Sequence, residues 1–294
     1  MSSRNSRAMW AAVVGLSWVL STAAAGPQAT QPEQTIDTVE VTAQREKLRQ
    51  AIVTFVSNVT RWDGENVARW RKPVCPSVLG ATPEQGEFIR ARVLEVAAAV
   101  RAPFSDEKKC EANLIVVLTD QPQQMWATWR ERYPKMFLGE SPENVKRIVE
   151  AQRPVVTWQN ATLNNSDGTP PNHIGNHREW RLVDSHIRSS VSEDVFSAIV
   201  VVNTSATGTA TFGQLADYVA MVSLARIDPR LDPDTDLAGT PTILRLFGQS
   251  SEGLPAKLTT WDQAFLKGLY RSRDAVLLRH RNDIALSMRD ELAP

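Results

Sequence analysis

Residues 113–119 read Asn113-Leu114-Ile115-Val116-Val117-Leu118-Thr119, a short unbroken apolar run rich in β-branched side chains. Such a run is too short for an ordinary helix and lacks the alternation of a half-exposed strand, so it reads as a central strand buried on both faces. The segment immediately before it carries Cys110. A long helix is placed upstream by Thr82-Pro83-Glu84-Gln85, which offers an N-cap hydroxyl, a proline in the first turn and a glutamine three residues after the cap. Phe88, Ile89, Val93, Val96 and Val100 then form one apolar stripe to about residue 100. Farther upstream, Leu48, Ile52, Phe55, Val56 and Val59 recur at helical spacing and predict a first helix over 44–60. Pro73 and Pro76 flank Cys75 and imply a fixed, non-helical bend.

Downstream, Asp120 and Ser141-Pro142-Glu143 open two helical segments separated by a turn around Gly139. Segments 155–163, 179–188 and 194–203 then read as strands, the last being the most apolar. Between the first two lies a loop, 164–172, of Asn, Ser, Asp, Gly, Thr and Pro. From Thr211 onward the pattern is helical, with breaks at 227–239 and 248–257. This order predicts an α+β fold: a mixed sheet of about four to five strands with flanking helices and a helical C-terminal part, all in one domain over 44–294.

Composition narrows the function classes. The 294 residues carry 33 Lys+Arg and 33 Asp+Glu, which leaves no global field for a polyanion, and no local basic patch suggests a nucleic-acid partner. Residues 1–25 have Arg4 and Arg7, an apolar run from Ala8 to Leu20, and small residues ending at Ala25. That layout is a secretory signal peptide, cleaved before Gly26, and the run of roughly 13 apolar residues falls short of the ~20 that span a bilayer. Periplasmic or secreted localisation follows, with no membrane span in the mature chain. Residues 26–43, opening with a Pro-, Gln- and Thr-rich stretch, read as a flexible leader. Two cysteines in an exported chain predict a Cys75–Cys110 disulfide.

Candidate chemistry is sparse. His173 and His177 have the i, i+4 spacing of a zinc-binding pair, but Ile174-Gly175-Asn176 between them supplies no acid, and nearby Pro170, Pro171 and Gly175 oppose a helix. They are metal candidates only if the loop brings a further ligand; otherwise the segment is a mobile polar loop, and no cofactor is expected. His186 has no ligand-spaced neighbour, and His280, between Arg279 and Arg281, reads as part of a solvated face. Trp62 and Trp70, among Arg61, Arg69, Arg71 and Lys72, either stack on a sugar or base and hold anions or pack as cation–π pairs within the fold. Trp126 and Trp129, three apart, read as core. The helix of residues 212–225 is apolar nearly all round, so it is buried, and Asp217 on it is either a polar anchor or a catalytic acid.

Leu215 to Met221, Thr242-Ile243-Leu244, and the Leu258 to Tyr270 stretch of form L-T-x-x-D-x-x-x-L-x-x-L-Y resemble a family of uncharacterised bacterial secreted domains. Their helix-plus-loop segment in turn looks like a worn metzincin active-site helix, and the resemblance implies a zincin-like scaffold. Where a zinc peptidase reads H-E-x-x-H, this chain reads Asp217-Tyr218-Val219-Ala220-Met221, with neither imidazole nor the general-base Glu, so the resemblance implies a scaffold that has lost its hydrolytic zinc. A second stretch, Asp37 to Arg45, resembles the TonB box of outer-membrane receptors, with Val39, Val41 and Thr42 as candidate partner-binding residues; the alternative is an ordinary edge strand. Two functions follow as expectations: a non-catalytic binding or envelope-interaction protein, or a secreted peptidase-like hydrolase with a non-standard site around Asp217, joined by His173 or His177.

Overall fold

The computed structural model describes residues 34–61, 66–107, 109–137, 141–150, 152–165, 169–170, 172–174, 177–179, 191–249 and 253–293. Ala43–Pro294 form one compact unit; of the separate unit before it, only the helical residues 34–42 are described. In chain order the elements are α1 (Gln34–Val59), β1 (Arg69–Trp70), β2 (Pro76–Leu79), α2 (Pro83–Val100), β3 (Leu114–Thr119), α3 (Pro122–Arg132), a 3-10 turn (Pro134–Phe137) and α4 (Pro142–Glu150). There follow β4 (Val155–Asn165), β5 (Asn172–Ile174), β6 (His177–Glu179), β7 (Val191–Asn203), α5 (Phe212–Leu224), a 3-10 turn (Ile243–Arg245), α6 (Thr260–Arg271) and α7 (Leu277–Leu292). The fold is α+β with a mixed five-stranded sheet.

Strand β7 organises that sheet. β4 pairs antiparallel with it from Val191 to Val202 and so fills one edge. A strand has only two edges, so β1, at Asp194 and Val195, and β3, from Ala198 to Asn203, must share the other in tandem, both parallel to β7. β2 extends the sheet beyond β3, also parallel. The expected central strand over 113–119 is β3, and its run is unbroken because both faces are covered. Leu114, Val116 and Leu118 join Ala198, Val200 and Val202 in the larger core, with α1, α2, α5, α6 and α7. Val117 joins Ile199, Val201, Val156, Trp158, Trp126 and Phe137 in a second core beneath α3 and α4.

One irregularity keeps these faces in register. Asn160 faces Ser197 while Ala161 faces Val195, so Phe196 is an extra residue on β7. This bulge lets Val195 and Ala198 point into the same core, three positions apart, and leaves Phe196 exposed.

Several expectations change. The first helix starts at Gln34, not 44, so Asp37 to Arg45 is helical backbone here rather than a flexible leader or the extended segment implied by the TonB-box resemblance; a helix has no free strand edge to pair. The bend around Cys75 leads straight into β2, whose first residue is Pro76; proline is tolerated there because it opens an edge strand. Among the described residues between α5 and α6 the backbone is irregular except for the turn at Ile243–Arg245, so the helical reading of 240–247 is not met. The strand expected over 179–188 and the turn at Gly139 lie outside the described residues apart from Glu179.

The βαβ unit of β2, α2 and β3 is held locally. Thr82 accepts from the Gln85 N–H while the Gln85 side chain accepts from the Thr82 N–H, completing the expected capping box. Gly80 turns the chain with φ +75°, and a Cβ there would lie 2.0 Å from the Leu118 carbonyl oxygen, so only glycine fits. Cys75 and Cys110 are disulfide-bonded across a separation of 35, with Cα atoms 6.0 Å apart, and the Cys75 carbonyl accepts from the N–H groups of Asn113 and Leu114 at the entry to β3. Loop closure of that length predicts that a Cys75→Ser/Cys110→Ser variant loses about 2–4 kcal/mol in urea unfolding. An unchanged midpoint and slope would show that the bond contributes nothing.

Candidate functional site

Helix α5 follows β7 directly and is capped by Thr211 with Gln214. Every residue from Leu215 to Leu224 is buried except Tyr218, which is half-buried. Asp217 is 3% exposed. One of its oxygens accepts from Arg92 Nε of α2, and the other accepts from the Leu258 N–H at 2.7 Å. Arg92, partly desolvated, is nevertheless held above its ordinary pKa by its bonds to Asp217 and Glu95. Both Asp217 oxygens are therefore spent on fastening α2 and the chain before α6 to α5.

Asp262 does comparable work one element later. It is fully buried and accepts from Thr242 Oγ1 at 2.5 Å, the Ile243 N–H at 2.9 Å, and the Thr259 N–H and Oγ1 at 2.9 and 2.7 Å. Burial pushes its carboxyl up although all these donors pull the other way. The three separated segments quoted above, 215–221, 242–244 and 258–270, are thus linked through two buried carboxylates, Asp217 and Asp262. Sequence reading singled out Asp217 by its apolar helix, whereas Asp262 entered only as the acid of the L-T-x-x-D stretch.

His280 corrects the sequence expectation most sharply. It is fully buried rather than solvated. Its Nδ1 accepts from the Val67 N–H at 3.1 Å, and its Nε2 lies 2.7 Å from Ser272 Oγ. That pair has the outline of a nucleophile and base, but the tautomer runs the wrong way. With Nδ1 accepting a backbone proton, Nε2 carries the ring hydrogen and donates it to Ser272, whose hydroxyl in turn donates to the Leu269 carbonyl at 2.8 Å. Desolvation, with Arg69 and Arg71 nearby, pushes the imidazole down to about 3. The arrangement ties α6, α7 and the chain before β1 together and offers no base for the serine.

In the described part of the Trp- and Arg-rich segment, Arg69, Trp70 and Arg71 are engaged by protein partners. Trp70 is buried and donates to the Ser223 carbonyl at 2.8 Å. Arg69 donates to the carbonyls of Leu269 and Ser272 and pairs with Asp274; Arg71 bridges Asp194 and Asp274. Trp126 is core as expected, against Trp129, Phe137 and Trp158. Trp62 and His186 lie outside the described residues. His173 and His177 fall in the paired strands β5 and β6, where His173 faces Arg178 and Ile174 faces His177, so neither histidine is on a loop or a helix. Among the described residues no three His, Cys, Asp or Glu side chains are grouped to hold a metal.

Open space with uncommitted polar groups occurs elsewhere. A cleft of about 590 Å³ runs along β4 between α4, α5 and the irregular segment 227–249. Its apolar wall includes Ile148, Val222, Leu231, Leu244 and Phe247, with Tyr218 set edge-on to Phe247 at 4.9 Å between ring centroids. Burial pushes the Tyr218 phenol up to about 12, with the Arg153 cation pulling against it, so the hydroxyl stays protonated at physiological pH. Neither this hydroxyl nor the Arg153 guanidinium hydrogen-bonds to any described residue. The acids of the lining are engaged: Asp228 with Arg230, Asp234 with the Gln249 N–H, Asp232 with the N–H groups of Asp234 and Thr235, while Glu150 is exposed. Beneath lies a small chamber lined by Thr157 and Gln159, whose Oγ1 and Oε1 atoms are buried without a partner. Gln159 is held there by its amide, which donates to the carbonyls of Val222, Ser223 and Ala225 at the end of α5.

A neighbouring cleft of about 580 Å³ opens at the C-terminal ends of β3 and β7, lined by Asp120, Gln121, Asn203 and, again, Gln152 and Arg153. The chain leaves β3 for the face of α3 and leaves β7 for the opposite face of α5, the topology at which open α/β sheets place ligands. Nothing in the sequence pattern marked Arg153 or Phe247; Tyr218 entered only as the residue standing where a zinc peptidase carries its general-base Glu. Compared with family profiles, curated proteins and solved structures, the chain matches none.

Two outcomes follow. Asp217→Ala leaves the buried Leu258 N–H without its acceptor and Arg92 with Glu95 alone, and should cost about 1–3 kcal/mol, read by urea unfolding; an unchanged stability would contradict the anchoring role. An unfolded imidazole protonates near 6.5, whereas His280 in the folded chain stays neutral down to about 3. The folded state therefore binds fewer protons in that window and loses stability as pH falls through it, by up to about 1.4 kcal/mol per pH unit. His280→Gln should flatten the fall in stability between pH 6 and 4 relative to the parent, and equal slopes would refute the assignment.

Proposed function

We propose that this is an exported, non-catalytic binding protein that holds a small ligand in the cleft between α4, β4 and α5. The observation that carries this reading is the contrast between committed and uncommitted groups. Asp217, Asp262 and His280 are consumed by structural hydrogen bonds, whereas Tyr218 and Arg153 have no hydrogen-bond partner among the described residues and line a cleft of about 590 Å³, within the size range of small-molecule sites. A zincin-like ancestry rests on the sequence segments alone; with Asp217 bonded on both oxygens, the helix is used as scaffold. Export rests on the leader of residues 1–25, and the Cys75–Cys110 bond supports it because such pairs persist in oxidising compartments. An energiser protein of the TonB type stays a proposed partner only if the 37–45 segment can leave its helical form.

A thermal-shift screen of small molecules checks the reading. Compounds that raise the melting temperature of the parent should lose that effect in Phe247→Ala and in Tyr218→Ala, and should be recovered chemically unchanged by mass spectrometry. Shifts that survive both substitutions would place the site elsewhere, and turnover of the bound compound would make the protein an enzyme. Amino-terminal sequencing of the mature chain should begin at Gly26.

A further inference from the structure

We propose that the cleft receives the carboxyl-terminal end of an extended peptide, which adds to the free edge of β4 and places its carboxylate on Arg153. The proposal rests on the cleft being a binding site and assigns its ligand class.

The backbone of β4 supplies the first argument. The Asn203 N–H donates to the Pro154 carbonyl at 2.8 Å, while the Ala198 N–H on β7 points the other way, to the Asn113 carbonyl at 2.9 Å. Antiparallel ladders alternate, so Pro154, Val156 and Trp158 turn their backbone groups to β7, and Val155 and Thr157 turn theirs to the opposite edge. Among the described residues that edge carries no further strand, and Val155 and Thr157 line the cleft. Two residues spaced by one thus present N–H and C=O groups in the pattern that strand addition uses.

Charge fixes the direction. An incoming strand antiparallel to β4 ends near the start of β4, where Arg153 stands two residues before Val155. Its free carboxylate would meet the guanidinium and the Tyr218 hydroxyl, two donors without a partner among the described residues, as a charge-assisted pair. The same strand running parallel would bring an ammonium to Arg153, which is repulsive. The wall of Phe247, Leu231 and Leu244 offers an apolar surface for a terminal side chain, and a cleft of about 590 Å³ accommodates a few residues rather than a folded domain.

Dansyl-labelled tetrapeptides ending in Ala, Leu or Phe, each as free acid and as carboxamide, test this by fluorescence anisotropy on the intact mature protein. At least one free acid should bind, its carboxamide at least tenfold more weakly, and Arg153→Gln should reduce the acid to the level of the amide while leaving the melting temperature unchanged. N-methylation of the peptide nitrogens that face β4 should abolish binding. Equal affinity of acid and amide, or indifference to Arg153→Gln, overturns the carboxylate assignment. If no peptide binds while the small molecules of the thermal-shift screen still depend on Phe247 and Tyr218, the peptide assignment fails and the cleft reading stands; loss of both would remove the cleft itself.

Discussion

Strand β7 is the constraint on which the rest of this molecule depends. It is hydrogen-bonded on both edges, to β4 on one and to β1 and β3 on the other, and from Ala198 to Val202 it is buried and apolar on both faces. A strand in that position has no polar surface to expose, so helices must cover each side of the sheet. The single bulge at Phe196 lets a strand of this length serve two cores without turning one of its apolar residues into the wrong layer. Helix α5 leaves β7 for the larger core and α3 leaves β3 for the smaller one, and the divergence of those two exits opens the space beside Arg153.

Burial so extensive leaves few places for ionised groups, and the chain handles them in a consistent way. Asp217, Asp262, Arg69 and His280 each face several hydrogen-bonding partners drawn from other elements, so each acts as a fastening between segments distant in sequence. These groups have the burial that active sites exploit, and His280 with Ser272 has the spacing of a catalytic pair. Chemistry depends on which atom holds the proton, however, and the Val67 N–H decides that against catalysis at this pair. Perturbed ionisation here reports architecture; the uncommitted donors at Tyr218 and Arg153 report a capacity for binding.

Much of the layout was legible from residue pattern. The continuous run at 114–119, the capping signal at Thr82, the apolar helix at 212–225 and the cysteine pair each express a local rule, and the structure follows them. Short elements were not legible: β1 and β2 span only two and four residues, and β2 begins on a proline that argues against a strand unless its edge position is known. The helical start of α1 at Gln34 contradicted a composition that reads as a leader.

Sequence by itself determined that the chain has a buried sheet with helices around it, and that Asp217 on its apolar helix must be satisfied by partners, because periodicity and the cost of burying charge are local facts. Only the tertiary structure decided what those partners are. Leu258 lies 41 positions from Asp217, and Val67 lies 213 from His280. Arg153 and Phe247 become neighbours of one cleft only after β4, α5 and the 227–249 segment pack together. Contacts across such separations leave no periodic trace in the chain, which is why the residues that fasten this fold and those that line its open cleft appear only in three dimensions.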